Sequence, residues 1–380
     1  MENINAILQN ILELRQKEGL YRTLNNSFSG VDFYSNDYLG LAQSIALKNT
    51  LQENSTNFQK THSNLTGLGA TGSRLISGNH FLFENFEDLC AKFHHAESAL
   101  FFGSGFEANT GLLAAIGLEG HVILCDKLIH ASLIDGLRLS KAEKRIFKHN
   151  DLKDLEKILR QYPIETPKWV VVESIYSMDG DQAPLEKLVT LKDRYNFELI
   201  VDEAHAGGIY GEKGEGLCVE KKLQDHIYAR IITFGKAWGY SGAVVLGNQT
   251  LRNFLINFAR PFIYSTAPTL QHVIDLMAIM KFMKKSHDQR DLLKQHIDFF
   301  VAHQSSKHWL KSQTAIQSFI IPGNERVREK AKFLQDKGFL VKPIVYPTVR
   351  KGTERIRITL HSFQTKEDML SLIRLIEEHA

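Results

Sequence analysis

The chain has 380 residues, 43% of them hydrophobic and 23% charged, with a formal net charge of +3. That length and apolar content suit packed domains and exclude a disordered chain, and so small a charge excess gives no footprint for nucleic acid. Three widely separated cysteines, Cys90, Cys125 and Cys218, offer neither a disulfide framework nor a zinc-ligand spacing, so a reducing cytoplasm without a structural metal is expected.

The start, Met1-Glu-Asn-Ile-Asn, lacks the basic residues and apolar block of a signal peptide. No apolar run approaches the roughly 18 residues of a membrane span, so no membrane partner is expected. Ile4, Ile7, Leu8, Ile11 and Leu12 recur at helical spacing, which predicts a helix packed on its own protein or on a partner subunit. A short strand at Val31-Asp-Phe-Tyr follows, and the polar, glycine-rich residues 66–79 predict a loop that wraps something. Phe83, Phe86, Leu89 and Phe93 mark one face of a helix over 81–93.

From Ser98 the pattern alternates. Strands are predicted at 99–102, 121–125, 169–173, 197–201 and 227–232, with helices at 106–116, 132–140 and 185–195. Such alternation implies βαβ units around a mostly parallel sheet, and short continuous apolar strands suit a sheet covered on both faces. Beyond about Pro268 a long helical region runs through Met277, Met280 and Met283 towards Phe300. Strands at 315–321 and 355–360 follow, then a capping box at Thr365-Lys-Glu-Asp368 and a final helix. The expected organisation is an N-terminal segment over 1–45, a large domain over 46–268 and a smaller α+β domain over 269–380.

Chemistry-bearing residues gather where these strands end, which is where open α/β sheets bind ligands. Lys236 follows the strand over 227–232 in Thr233-Phe-Gly-Lys236-Ala-Trp-Gly. Glycines 235 and 239 permit close backbone approach, and apolar neighbours would lower the lysine pKa. A lysine so placed can form a Schiff base with pyridoxal phosphate (PLP), and Asp202 is a candidate partner for that cofactor's pyridinium nitrogen. Gly105 and Phe106, at a strand-to-helix turn, offer backbone N–H groups to a phosphate. His130 and Ser177 also follow strands. Each feature has a plain structural reading as well: a solvated lysine, a tight turn, a helix cap, turn chemistry. Asp202-Glu-Ala-His205 is also the box of helicases, but the phosphate loop that activity needs is absent. The coincidence of His130, Ser177, Asp202, His205, Thr233 and Lys236 just beyond strands favours a single cofactor crevice.

The motifs Ser35-Asn-Asp-Tyr-Leu-Gly40, Gly72-Ser-Arg-Leu-Ile-Ser-Gly78, Ser104-Gly-Phe-Glu-Ala-Asn109, His130-Ala-Ser132, Ser177-Met-Asp-Gly180, Val201-Asp-Glu-Ala-His205, Thr233-Phe-Gly-Lys236 and Arg355-Ile-Arg357 run in order over nearly the whole chain. In them the chain resembles the α-oxoamine synthases, PLP-dependent acyltransferases of the aspartate-aminotransferase fold (fold type I). The resemblance implies decarboxylative condensation of an amino acid with an acyl thioester, in a homodimer. Phe262-Ile-Tyr-Ser-Thr266 and Pro347-Thr-Val349 are similar to the biotin-synthesis branch, which implies L-alanine and pimeloyl-CoA or pimeloyl carrier protein. Val345 and Tyr346 depart from that branch, where arginine and proline are common. Trp238 replaces a more usual phenylalanine or leucine. Glycine C-acetyltransferase, serine palmitoyltransferase and a PLP-fold binding protein without turnover are the alternatives.

By the resemblance, Lys236 carries the cofactor and moves the substrate α-proton, Asp202 holds the ring nitrogen, and His130 stacks on the ring and assists acyl attack. His205 and Ser177 position the ring oxygen, while Gly105, Phe106 and Thr233 hold the phosphate. Arg357 pairs with the substrate carboxylate, with Arg355 competing for that role, and Arg22 and Thr348 contact the acyl substrate.

Overall fold

The structure is a computed structural model that describes residues 3–24, 29–61 and 68–378; Thr66 and Gly67 of the expected glycine-rich loop lie outside them. The chain divides into two units. The larger is residues 36–295 with 361–363, and the smaller is the remainder of both ends.

In chain order, the smaller unit contributes α1 (Ile4–Lys17) and β1 (Val31–Asp32). The larger unit follows with α2 (Ile45–Thr61), α3 (Phe81–Phe93), β2 (Ser98–Phe102), α4 (Gly105–Ile116), β3 (Val122–Asp126), α5 (Ala131–Leu139), β4 (Glu143–Phe147) and α6 (Leu152–Leu159). It continues with β5 (Lys168–Glu173), α7 (Leu185–Tyr195), β6 (Glu198–Asp202), α8 (Leu217–Glu220), β7 (Ala229–Thr233), β8 (Ala243–Gly247), α9 (Gln249–Phe258), α10 (Arg260–Tyr264) and α11 (Leu270–Met283). α12 (His287–Ala302) leads to β9 (Ile316–Ile320), α13 (Asn324–Asp336), β10 (Phe339–Leu340), β11 (Lys342–Ile344), β12 (Arg355–Thr359) and α14 (Lys366–Glu377).

Among the described residues the larger unit carries one seven-stranded sheet, in the order β2-β8-β7-β6-β5-β3-β4. The β3–β4, β3–β5, β5–β6 and β6–β7 pairs are parallel, and β8 runs antiparallel to both β7 and β2. Two reversals restore direction, so β2, β3, β5, β6 and β7 all deliver their C-terminal ends to one edge. That edge therefore collects the start of α4 and the residues after β3, β5, β6 and β7.

β2, β3 and β7 are buried at every position, as continuous apolar runs in a two-sided sheet require. Leu112, Leu113 and Leu133 of α4 and α5 pack with Ile123, Val171 and Ile200 in one core cluster. β4 was not expected. Its Glu143, Lys144 and Arg145 are exposed, and such charges suit an edge strand while hiding it from apolar patterning. The long helical region after Pro268 consists of α11 and α12. α11 packs against α2 and α3 and buries Val273, Leu276, Ile279, Met280 and Met283. The larger unit consequently runs to 295, where the sequence places a boundary at 268, and residues 36–45 belong to it.

The smaller unit holds the antiparallel sheet β11-β12-β9 and the parallel pair β1–β10. Thr365 caps α14, its Oγ1 accepting from the Asp368 N–H at 3.1 Å. α1 has no buried residue and leaves Ile4, Leu8, Ile11 and Leu14 exposed.

Candidate active site

At the C-terminal edge of the sheet lies a cavity of about 300 Å³, lined by Lys236, Asp202, His130, His205, Thr233, Gly105 and Phe106 together with Asn36, Asn109, Ser132 and Glu173. Seven of the expected residues thus meet in one place. The loop after β7 bends Lys236 into it, half-buried. Gly239 makes that bend possible: its φ is +65°, and a Cβ there would stand 2.4 Å from the Ala42 backbone nitrogen. Gly235 has no comparable constraint, since the nearest atom to its would-be Cβ is 3.9 Å away.

Asp202 ends β6, buried. Its Oδ1 accepts from the Ala204 N–H at 2.8 Å, and its Oδ2 accepts from Asn109 Nδ2 at 2.7 Å. The same Asn109 amide donates to Ser132 Oγ at 3.0 Å, and Ser132 Oγ lies 2.7 Å from His130 Nδ1. His130 Nδ1 also accepts from the Ser132 N–H at 3.2 Å, so His130 is both helix cap and cavity wall. Its pKa is lowered, by burial first and by Lys236, with Asp202 opposing. It is therefore neutral near pH 7, able to accept a proton or share one.

His205 Nδ1 lies 2.6 Å from the Tyr38 hydroxyl, which fixes the ring across the cavity wall. Glu203 points elsewhere: Oε1 accepts from the Cys218 N–H at 2.7 Å and Oε2 lies 3.9 Å from Arg230. The second acid of the Asp-Glu-Ala-His box is a core residue, which removes the paired-acid geometry of a nucleotide hydrolase.

Glu173, at the end of β5, carries no role in the sequence reading. Burial, and then the Asp202 charge, push its carboxyl well above the usual range, while Lys236 and the His130 and Ser177 N–H groups oppose. Asn109 and Ser132 stand inside the quoted motifs, but only the fold shows that they link Asp202 to His130. Ser177 is buried in the turn after β5 and is not among the cavity-lining residues.

In the smaller unit Arg22 and Thr348 line a separate cavity of about 690 Å³ with Arg15, Arg328 and Lys342. Arg357 sits on β12, buried, with Nη1 donating to Thr359 Oγ1 at 3.0 Å. Arg355 donates from Nε to the Thr353 carbonyl at 2.9 Å.

The cavity has two features of a phosphate and ring site. A Cβ on Gly105 would lie 2.6 Å from Thr233 Cγ2, so only glycine lets the start of α4 approach β7. Thr233 Oγ1 and Asn109 Oδ1 are buried with no hydrogen-bond partner among the described residues. A bound phosphate at the N-terminus of α4 would accept the Thr233 hydroxyl proton and the first helical N–H groups.

The family described as "Aminotransferase class I and II" matches residues 29–376. A Neisseria meningitidis protein named "Putative 8-amino-7-oxononanoate synthase" is 38% identical over 93% of this chain and 92% of its own length. A protein of the same name from Glaesserella parasuis is 37% identical over 98% and 99%. Among solved structures, a serine palmitoyltransferase from S. paucimobilis with a bound PLP–myriocin aldimine superposes with a TM-score of 0.87 at 22% identity, covering 99% of this chain and 98% of that one. The 8-amino-7-oxononanoate synthase from Francisella tularensis gives a TM-score of 0.76 at 28% identity, covering 92% and 97%.

Proposed function

The chain belongs to the class I and II aminotransferase family, and from that premise we propose that it condenses L-alanine with a pimeloyl thioester to 8-amino-7-oxononanoate, carbon dioxide and free thiol. It is an α-oxoamine synthase, an acyltransferase, and its cofactor is pyridoxal phosphate. The observation that carries this reading is the meeting of Lys236, Asp202 and the start of α4 in one cavity.

The residues divide the work by chemistry. Gly105, Phe106 and Thr233 would hold the phosphate, with Thr233 Oγ1 as donor. Asp202, pinned by Asn109 and the Ala204 N–H, would keep a proton on the ring nitrogen. His205 and Ser177 would set the ring oxygen, and His130 would cover the ring face. When bound, the cofactor supplies an aldehyde for an amine and a ring that takes up electron density from the α-carbon. Lys236 Nζ is the base that takes the α-proton of alanine and returns it once carbon dioxide has left. Neutral His130 would hydrogen-bond the thioester oxygen through Nε2 as the thiol departs. Arg357 would pair with the alanine carboxylate, because a guanidinium matches a planar two-oxygen anion. Arg22 and Thr348 would hold the acyl substrate, whose carrier is coenzyme A or a carrier protein.

The working form is a homodimer in the cytoplasm. The uncovered apolar residues of α1 support an additional protein surface, and no helix among the described residues is long and apolar enough to cross a membrane.

The test crosses alanine, glycine and serine with acetyl, pimeloyl and palmitoyl thioesters and measures thiol release. Alanine with a pimeloyl thioester should give the highest kcat/KM. Preference for glycine with acetyl, or serine with palmitoyl, would move the chain to another branch; no reaction with any pair would overturn the enzyme.

A further inference from the structure

We propose that His149 is a positioning residue of the cofactor site: as an imidazolium it ties the segment leading to His130 to the turn that carries Ser177. The inference rests on the cofactor reading above, and neither His149 nor the two acids it meets, Asp126 and Asp181, line the cavity.

His149 follows β4 and reaches two carboxylates at once. Nδ1 lies 2.9 Å from Asp126 Oδ1, and Nε2 lies 2.8 Å from Asp181 Oδ2. A neutral imidazole has one N–H, so one lone pair would face a carboxylate oxygen; only the cation donates from both nitrogens. Burial favours the neutral ring, but the two carboxylates outweigh it and raise the pKa to about 10. The ring is then charged throughout the ordinary working range.

Each carboxylate belongs to a segment that carries a residue of the cofactor reading, His130 on one side and Ser177 on the other. Asp126 ends β3 and is fully buried. Its Oδ1 accepts from the Leu128 N–H at 2.8 Å, fixing the four residues that lead to His130. On the other side, the Tyr176 N–H donates to the Asp181 carbonyl at 3.0 Å and the Gly180 N–H to the Tyr176 carbonyl at 2.9 Å. Those bonds close the turn that contains Ser177. The Tyr176 ring meets His149 edge-on, centroids 4.4 Å apart.

Asn150 repeats the link. Its N–H donates to Asp126 Oδ2 at 2.8 Å and its Nδ2 to Asp181 Oδ2 at 2.6 Å. It does so from a left-handed backbone, φ +52°, a conformation that costs free energy and persists where surrounding contacts demand it. Two consecutive residues therefore hold the same two acids, His149 through its ring and Asn150 through its backbone N–H and its side-chain amide.

The test is cofactor titration of the apo-protein, followed by absorbance, for wild type, His149→Gln, Ser177→Ala and the double variant. A glutamine can donate at only one end, so His149→Gln should weaken cofactor binding at least tenfold. If His149 acts through the Ser177 turn, Ser177→Ala should then cost less than twofold on the His149→Gln background and more on wild type. Wild-type affinity in His149→Gln, or effects that simply multiply, would overturn the proposal. Should His149→Gln not fold, Asp181→Asn is read in the same cycle with the same expectation, since it leaves the Asp126 pair intact. Failure of the wild type itself to bind pyridoxal phosphate would instead refute the cofactor reading.

Discussion

Asn109→Leu isolates the least expected part of the site. In the wild type the Asn109 amide donates at 2.7 Å to Asp202 Oδ2, with both residues buried. A hydrogen bond to a charged group contributes roughly 1.5–3 kcal/mol. Leucine keeps the branching of asparagine at Cγ and is larger, so it removes the donor without opening a cavity. Asp202 then loses one of its two anchors and holds a ring proton less well. Pyridoxal phosphate affinity should fall about 10- to 150-fold, because each 1.4 kcal/mol is a factor of ten. Absorbance titration of the apo-protein measures this, with thermal melting of the apo-protein as the folding control. A dissociation constant within twofold of wild type would refute the claim that Asn109 fixes Asp202 for the cofactor.

Three further outcomes are expected. Borohydride reduction of the loaded wild type should leave the cofactor's mass on the peptide containing Lys236, and Lys236→Ala should show no such label while keeping its circular dichroism spectrum; a label on another lysine would contradict the assignment. Asp202→Asn should still capture the cofactor at Lys236 but lose turnover by orders of magnitude, because an uncharged amide cannot hold the ring cation; unchanged turnover would place another acid there. His94 is fully buried, with Nδ1 2.7 Å from the Glu215 carbonyl oxygen, and burial lowers its pKa to about 3. Its folded pKa lies below the unfolded value near 6.5, so the folded state binds this proton less readily and stability is lost as pH falls from about 6.5 towards 3. Melting curves from pH 7 to pH 4 should therefore fall less steeply for His94→Asn than for wild type; parallel curves would show that this proton does not matter.

Much of the larger unit is legible because its strands are continuous apolar runs with functional residues immediately after them. Val201-Asp202 and Thr233-Phe-Gly-Lys236 advertise both strand and site in a few residues. β4 is not legible, since Glu143-Lys-Arg has the look of a loop until its neighbour in the sheet is known. The boundary near 268 also misleads: Pro268 breaks the chain locally, but the apolar face of α11 decides which unit it joins. Within the site, types and positions can be read, whereas links between distant segments cannot. Asn109 and Asp202 are 93 residues apart, and no local spacing shows that they touch. Glu173 reads as the polar end of a strand until its burial beside Asp202 is seen. His149 carries no motif at all, and its meaning comes only from two carboxylates contributed by other segments.

One carbon dioxide should leave for every acyl group transferred, at a site built around Lys236. The direct measurement follows alanine labelled in its carboxyl carbon, mixed with pimeloyl thioester and loaded enzyme, counting labelled carbon dioxide against free thiol. The expected ratio is one, with both products absent in Lys236→Ala. Thiol released without carbon dioxide would mean thioester hydrolysis or simple acyl transfer, and would contradict it.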